Sequence, residues 1–547
     1  MAALNILTDH KQLAVLSEQP MGGPGSKPFA YTASLAGSFS VLGKNEFALR
    51  SVSVLALLGA GLFLFGAVDT YFNDLPLSIL TLFFFLLDPW TITNARVGAP
   101  DQVLVFWGCA ALFAALRFSK TLNRSWAFIC GLALGLAFVA KLWLVLPFAL
   151  ACLVIFAGML PAAPTGVVAT GASLAAFAAL LTSASHLLLV VWQTPKDLPY
   201  WIRLYFIEYF SSRITGEGHD PAIWFHPWWF YLAGLFKATF FGLPAVYLAV
   251  YDIVVSGKRH LLLLLLAMLS LFFILALFTA KVTLYAYPSF PAVAFLLAYG
   301  ALLIFRNQFG KPLVTAVLFS IVTASFFVIA GTITAKEFGV ITALYLLYLV
   351  AALSPTAYKF TATATVTAVA LAALLIADVA AVRMSLGQRT YYRELAAYFR
   401  PSLAGYAPRA VVFQAPEPGA LDFYLFRSGQ SWQKYEWQML YPEWRRYFAD
   451  SDEEFVKKLR KGTLAFYVVD PSGKLLYSSK VSAEKLNALH EYAVNVTPKV
   501  ERTIGRSIPL EVFVPRVRDP SFTSTKIQSR LLAVLPKRRS VADRDGL

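Results

Sequence analysis

The feature that most constrains this chain is a succession of apolar stretches, each about long enough to cross a lipid bilayer, running from about Glu46 to about Arg383. They fall near 47–67, 77–95, 101–118, 126–140, 142–160, 166–192, 226–254, 260–279, 283–305, 312–334, 338–353 and 360–382. Hydrocarbon offers the backbone no hydrogen-bond partners, so each stretch is expected to be a helix. Composition points the same way: 58% of the 547 residues are hydrophobic and 14% are charged, which excludes an ordinary soluble enzyme. The expected fold class is a polytopic α-helical membrane protein with about twelve spans. Cys109, Cys130 and Cys152 lie inside apolar runs without metal-ligand spacing, which argues against a disulfide framework or a zinc site. The net charge of +16 arises from short loops and the tail, a pattern of membrane topology and contact with membrane lipid; no nucleic-acid module is present.

Lys and Arg in short loops mark the cytoplasmic side. One set of loops holds Arg117, Lys120, Arg124, Lys258, Arg259, Arg306, Lys311 and Lys359; the other holds Arg96, Lys141, Lys281 and Lys336. Taking the first set as cytoplasmic puts Lys27, Arg96, Asp101, Lys141 and the loop 193–225 on the outer face. The loop 69–74 dissents with two acids and no base, but acids weigh little in this rule. Residues 1–45 are expected to be an extracytoplasmic loop carrying the turn-forming G-G-P-G-S-K-P, with no signal-peptide pattern and no full span. A membrane domain follows over 46–383, then a small outward-facing α/β domain over 384–520 and a basic tail over 521–547. Helices are expected in the α/β domain near 390–400, 452–461 and 483–493, and strands near 409–414, 421–427, 463–469 and 511–515. Asp422 and His490 read as surface residues there.

Ionisable side chains at the ends of apolar spans are costly to keep, which makes Arg96, Asp101 and Lys141 functional candidates. Snorkelling to the headgroups is the alternative for the two cations, and the company of Asp101 on the same face weighs against it. In the loop 193–225, Glu208, Arg213, His219, Asp220 and His226 offer acids, a phosphate-binding fork and imidazoles near one surface. Residues 198–212 have the character of an interfacial helix, and Trp228, Trp229 and Tyr231 read as an aromatic belt. The run K-V-T-L-Y-A-Y-P-S-F-P brings Lys281, Tyr285 and two prolines to the start of a span. Those prolines are expected to open the helix beside a water-accessible cavity; a kinked packing helix with Tyr285 anchored at the interface is the alternative.

These residues carry a resemblance. S-K-P-F-A-Y-T-A-S-L with F-S-V-L-G-K-N-E-F-A-L-R, A-R-V-G-A-P-D, G-L-A-L-G-L-A-F-V-A-K and K-V-T-L-Y-A-Y-P-S-F-P resemble, in order and spacing, four motifs of membrane glycosyltransferases of the GT-C type. Specifically, they resemble the protein O-mannosyltransferases and the bacterial aminoarabinose (lipid A) transferase-like group. That family usually has one more helix at its start, followed outside by an acidic pair; the best counterpart here is Asp9, with His10 in the second position. The Glu that often precedes the family lysine is replaced by Ser26.

The resemblance implies an inverting transfer of a sugar from a polyprenyl-phosphate donor to a glycolipid, polysaccharide or protein acceptor at the outer face, the periplasmic face if the membrane is a Gram-negative inner membrane. It implies Asp9 as general base and Asp101 as the residue that orients the acceptor or holds a divalent ion, Mg or Mn. Lys27, Lys141 and Arg213 are implied to neutralise phosphate, and Arg96 to brace Asp101 or touch substrate. Lys281, Tyr285 and His226 complete the expected substrate contacts. Two further readings are an inactive relative that serves as a scaffold subunit and a lipid-linked sugar transporter. Against the transporter, the ionisable residues gather at span ends instead of the midplane, and no repeat relates the two halves.

Overall fold

The structure, a computed structural model, describes residues 18–19, 23–24, 29–43, 45–193, 195, 198–203, 214, 227–239, 242–279, 283–306, 310–330, 338–346, 411–414, 466–469, 483–504, 508 and 511–515. The chain divides into two compact units, one of Gln12–Ala14 with Lys27–Met384 and one of Met1–Lys11, Val15–Ser26 and Ser385–Leu547.

The first unit is helical. It opens with α1 (Phe29–Leu42) and α2 (Glu46–Phe72), followed by α3 (Leu75–Leu86), α4 (Pro89–Val97), α5 (Pro100–Thr121) and α6 (Arg124–Lys141). After a 3-10 turn, Leu142–Val145, come α7 (Leu146–Met159), α8 (Thr165–Gln193) and the short α9 (Leu198–Arg203). Then follow α10 (Phe230–Thr239), α11 (Leu243–Val255), α12 (Arg259–Ala276), a second 3-10 turn over Thr283–Ser289, α13 (Phe290–Phe305) and α14 (Gly310–Ile329). Residues 338–346 are also helical.

Polar residues punctuate this apolar sequence. Asn45, Asp74, Asp88 and Asn123 each accept a hydrogen bond from a backbone N–H in the first turn of the next helix, satisfying a donor that lipid could not.

Among the described residues seven helical stretches are long and apolar enough to cross a membrane, by length and composition, and the bent pair α3–α4, broken by 58° near Asp88–Pro89, makes an eighth if it is one span and not a re-entrant loop. One of the seven, Arg124–Met159, is not a single rod. The sulfur of Cys130 lies 3.7 Å from that of Cys152, so α6 and α7 run back along one another and the chain reverses at Lys141–Val145. Leu142 makes the reversal with φ 55° and ψ −134°, a conformation that glycine adopts freely and that strains a leucine.

Close packing aligns these helices. Gly59 and Gly66 of α2 receive the rings of Phe106 and Phe113 of α5, seven residues apart on both helices, so α2 and α5 run parallel. Gly131 and Gly135 of α6 meet the backbone carbonyls of Ala175 and Ala179 on α8, the small-residue contact by which helices in lipid approach backbone to backbone.

Four expectations change. The N-terminal segment read as a loop holds α1, whose Tyr31, Leu35, Ala36 and Phe39 are buried. The stretch 226–254 is two helices, α10 and α11, with Pro244 in the first turn of the second. Pro291 likewise stands in the first turn of α13, where a missing N–H costs nothing, so it starts the helix instead of opening it. Tyr231 is 2% exposed and belongs to the core, whereas Trp228 at 62% fits an interfacial belt.

In the second unit a mixed four-stranded sheet has the order β3 (Val411–Gln414), β4 (Phe466–Val469), β6 (Glu511–Pro515), β5 (Ala493–Asn495); a separate two-stranded ladder pairs β1 (Glu18–Gln19) with β2 (Gly23–Pro24). β3 and β4 are parallel, with Val412 opposite Tyr467, while β6 is antiparallel to both neighbours, with Val468 opposite Val512 and Val494 opposite Val514. Helices α15 (Ala483–Tyr492) and α16 (Thr497–Ile504) supply Leu489 and Val500 to a core shared with Val512 and Phe513. His490 is exposed, its ring edge-on to Phe513 at 5.3 Å. The expected elements at 390–400, 421–427 and 452–461, the span at 360–382 and the tail lie outside the described residues.

Candidate active site

The hairpin of α5 and α6 turns at Leu122–Asn123, so the first turn of α5 and the last turn of α6 stand at the same end of the bundle. At 1.5 Å per residue, Asp101 and Lys141 each lie about 30 Å along the helix from that turn. They meet there: Lys141 Nζ is 2.5 Å from Asp101 Oδ1, with side chains 5% and 1% exposed. An acid at a helix N-terminus and a base at a C-terminus each complement the helix dipole, which lowers the cost of burying the pair. The Lys141 ammonium also lies 5.0 Å from the centre of the Tyr285 ring, a cation–π contact that counts for more where water is excluded. Tyr285 itself is 7% exposed, in the 3-10 turn ahead of α13, so it is a wall of this site and not an interface anchor.

The connection between α4 and α5 forms the rim. Gly98 ends α4 with φ 73°, and a Cβ there would stand 3.4 Å from the Leu49 carbonyl and the Tyr31 hydroxyl. The Tyr31 hydroxyl, from α1, donates to the Gly98 carbonyl, and Ser53 Oγ donates to the Ala99 carbonyl at 3.3 Å. Burial pushes the Tyr31 phenol well above its usual range, and the Asp101 charge adds to this against a lowering contact with Ser53. Tyr31 therefore stays a neutral donor. Behind the pair, Tyr287 donates to Gln102 Oε1 at 2.8 Å and Gln102 Nε2 donates to the Thr91 carbonyl at 2.9 Å, tying α4, α5 and the 3-10 turn together.

Of the residues singled out in the sequence, Asp101, Lys141 and Tyr285 come together, and Arg96 lies half-buried in the last turn of α4, just before the rim. Asp9, Lys27, Arg213, His226 and Lys281 lie outside the described residues. Among the described residues no three acidic, histidine or cysteine side chains converge on a metal site. Asp101 Oδ1 faces the Lys141 ammonium.

The sequence reading missed Tyr31, Gln102 and Tyr287, neutral side chains whose role depends on partners 67 and 185 residues away. It also missed Asp88, half-buried at the α3–α4 break. An acid inside the otherwise apolar run F-F-F-L-L-D-P-W was the available signal.

The sequence model of the dolichyl-phosphate-mannose-protein mannosyltransferase family matches residues 26–166, the segment that contributes Tyr31, Asp101 and Lys141. Among solved structures, ArnT from Cupriavidus metallidurans in the apo state superposes with a TM-score of 0.59 over 94% of this chain and 91% of its own. The chain has the GT-C fold of ArnT. Sequence identity over that match is 16%; a second ArnT structure, bound to undecaprenyl phosphate, gives a TM-score of 0.56 at 16% identity over 89% and 87% of the two chains. No curated protein matches the sequence. The expected fold class, a multi-pass membrane GT-C protein with a small C-terminal domain, is therefore borne out in this frame, without the span count.

Proposed function

We propose that the chain is an inverting glycosyltransferase that moves a sugar from a polyprenyl-phosphate donor to a hydroxyl acceptor at the outer face of the membrane. The observation that carries this reading is the buried Asp101–Lys141 pair under Tyr285, inside the segment matched by the mannosyltransferase family. Such a transfer makes a bond from the acceptor oxygen to the anomeric carbon while the bond from that carbon to the phosphate oxygen breaks. It needs a base for the acceptor proton and fixed cations for the leaving phosphate.

Lys141 supplies a cation held in a site with little water, where charge acts more strongly than at the surface. On donor binding the ammonium shares itself between Asp101 and a phosphate oxygen, freeing one carboxylate oxygen to orient the acceptor hydroxyl. Tyr31 offers a neutral hydrogen-bond donor beside it. Asp9 is assigned as the base that takes the acceptor proton, and Lys27, Arg213, His226 and Lys281 as further contacts to phosphate or sugar. A glycolipid, a polysaccharide and a protein hydroxyl are all acceptors of the right chemistry.

The test is sugar release from a panel of polyprenyl-phosphate sugars by purified protein in native lipid extract, with Asp101→Asn and Asp9→Asn beside the wild type. Consumption of one donor by the wild type, with a loss of roughly a hundredfold or more in each variant, is expected. A folded wild type that consumes no donor in the panel would leave the scaffold reading in its place.

A further inference from the structure

Away from Asp101 and Lys141, the helical unit holds an apolar cavity of about 70 Å³ between α2, α5, α12 and α13. Its walls include Ala67, Leu112, Leu116, Met268 and Ala292, and all of its lining surface is apolar. Leu116 lies about 23 Å along α5 from Asp101, so the cavity belongs to the opposite half of the bundle from the proposed active site.

Most wall residues are buried, but Tyr71, Phe72 and Leu264 are half-exposed and form a mouth. The mouth lies beside the cations Lys258 and Arg306, reached through Tyr299 and Asp74. The Tyr71 hydroxyl is 3.3 Å from His260 Nδ1, and Phe72 stacks on Phe295 and lies beside Tyr299, 6.2 Å between ring centres. Lys258 donates to that same Tyr299 hydroxyl at 2.5 Å and to Asp252 at 2.8 Å. Arg306, just past the end of α13, pairs with Asp74, two residues beyond Phe72. Lys258 and Arg306 keep 40% and 47% of their side-chain surface exposed despite these pairs.

We infer that this cavity is a binding site for an anionic phospholipid, with a hydrocarbon chain inserted among the α2, α5, α12 and α13 side chains and the phosphate on the rim formed by Lys258 and Arg306. An apolar hole open beside a cationic rim, in a protein whose surroundings are lipid, complements an amphiphile with a negative head. Neutral lipid would fill the hole without the rim contacts, and a water-soluble anion would use the rim without the hole.

The experiment measures the thermal unfolding midpoint of the delipidated protein in dodecyl maltoside, with added dioleoyl phosphatidylglycerol or dioleoyl phosphatidylcholine. A bound ligand at about ten times its Kd raises the midpoint by about 1–2 °C for a chain of this length, and that rise is expected for the anionic lipid only. Arg306→Gln is expected to reduce the rise. Ala292→Leu and Ala67→Leu, which put extra carbon into the cavity from two different walls, are expected to abolish it; if one fails to fold, the other gives the answer. Equal stabilisation by the two lipids would overturn the assignment of the headgroup. An undiminished response in a folded cavity-filled variant would overturn the assignment of the chain. Neither readout involves sugar transfer, so the lipid site and the proposed activity stand or fall separately.

Discussion

At the scale of single residues, the Asp101–Lys141 pair has a cost that can be measured. Two buried charges repay their desolvation only while both are present, and removing one partner from such a pair costs about 3–5 kcal/mol. Lys141→Gln is therefore expected to destabilise the purified protein by that amount, read as a drop in its unfolding midpoint. Adding Asp101→Asn in the same chain is expected to recover most of the stability, because two neutral amides can hydrogen-bond where one stranded carboxylate could not. Sugar transfer is expected to stay lost in the double variant, which separates chemistry from folding. A double variant less stable than either single would show that the pair is not the unit. The three residues that meet in the site were legible in the sequence for one reason: ionisable or hydroxylated side chains at the ends of apolar runs stand out. Gln102 and Tyr287 did not, because a neutral polar residue inside a span is noticed only when its distant partner is known.

At the scale of elements, α6 is positioned by what it lacks. A Cβ on Gly131 would stand 2.0 Å from the Ala175 carbonyl oxygen, a backbone atom that cannot turn aside. Gly131→Ala is expected to force α6 from α8 and destabilise the protein by about 1–3 kcal/mol, with loss of activity because Lys141 ends the same helix. Gly166, in the first turn of α8, has open space around its would-be Cβ. Gly166→Ala is expected to be neutral or to stabilise by up to about 1 kcal/mol, from helix propensity alone. Thermal unfolding of the two variants side by side checks the contrast; equal effects would mean that the α6–α8 contact is not tight. Apolar length made most helices legible, from α2 through α8 and again at α12 and α14. Breaks were harder to read, since the sequence at Asp88–Pro89 and near Gly242 keeps its hydropathy while the helix axis changes. Helix α1 escaped because its alanines, serines and aromatics have no spanning length, and β5, with three residues, is too short for any periodicity.

At the scale of the whole helical unit, its two ends differ in kind. One end buries Asp101, Lys141 and Tyr285 beneath α1 and the α4–α5 connection. The other carries Lys120 and Arg124 on either side of the α5–α6 turn, Lys258 and Arg259 at the start of α12, and Arg306 after α13, all exposed. Basic residues in short connections are retained on the cytoplasmic side during insertion, so the buried pair is expected at the outer face, where a lipid-linked donor and an extracytoplasmic acceptor could both reach it. Cysteine labelling tests this with little background, since Cys109, Cys130 and Cys152 are all buried. Ser40 is exposed near the C-terminal end of α1, close to where Ser38 bonds the Ala48 carbonyl at the start of α2. A membrane-impermeant maleimide added to intact cells, or to spheroplasts where an outer membrane intervenes, is expected to label Ser40→Cys and to spare Lys120→Cys until the membrane is opened. The reverse pattern would put the pair on the cytoplasmic side, and a cytoplasmic sugar donor would then replace the polyprenyl-phosphate sugar as the substrate to test. The charge of a few short turns thus decides which chemistry the buried pair can serve.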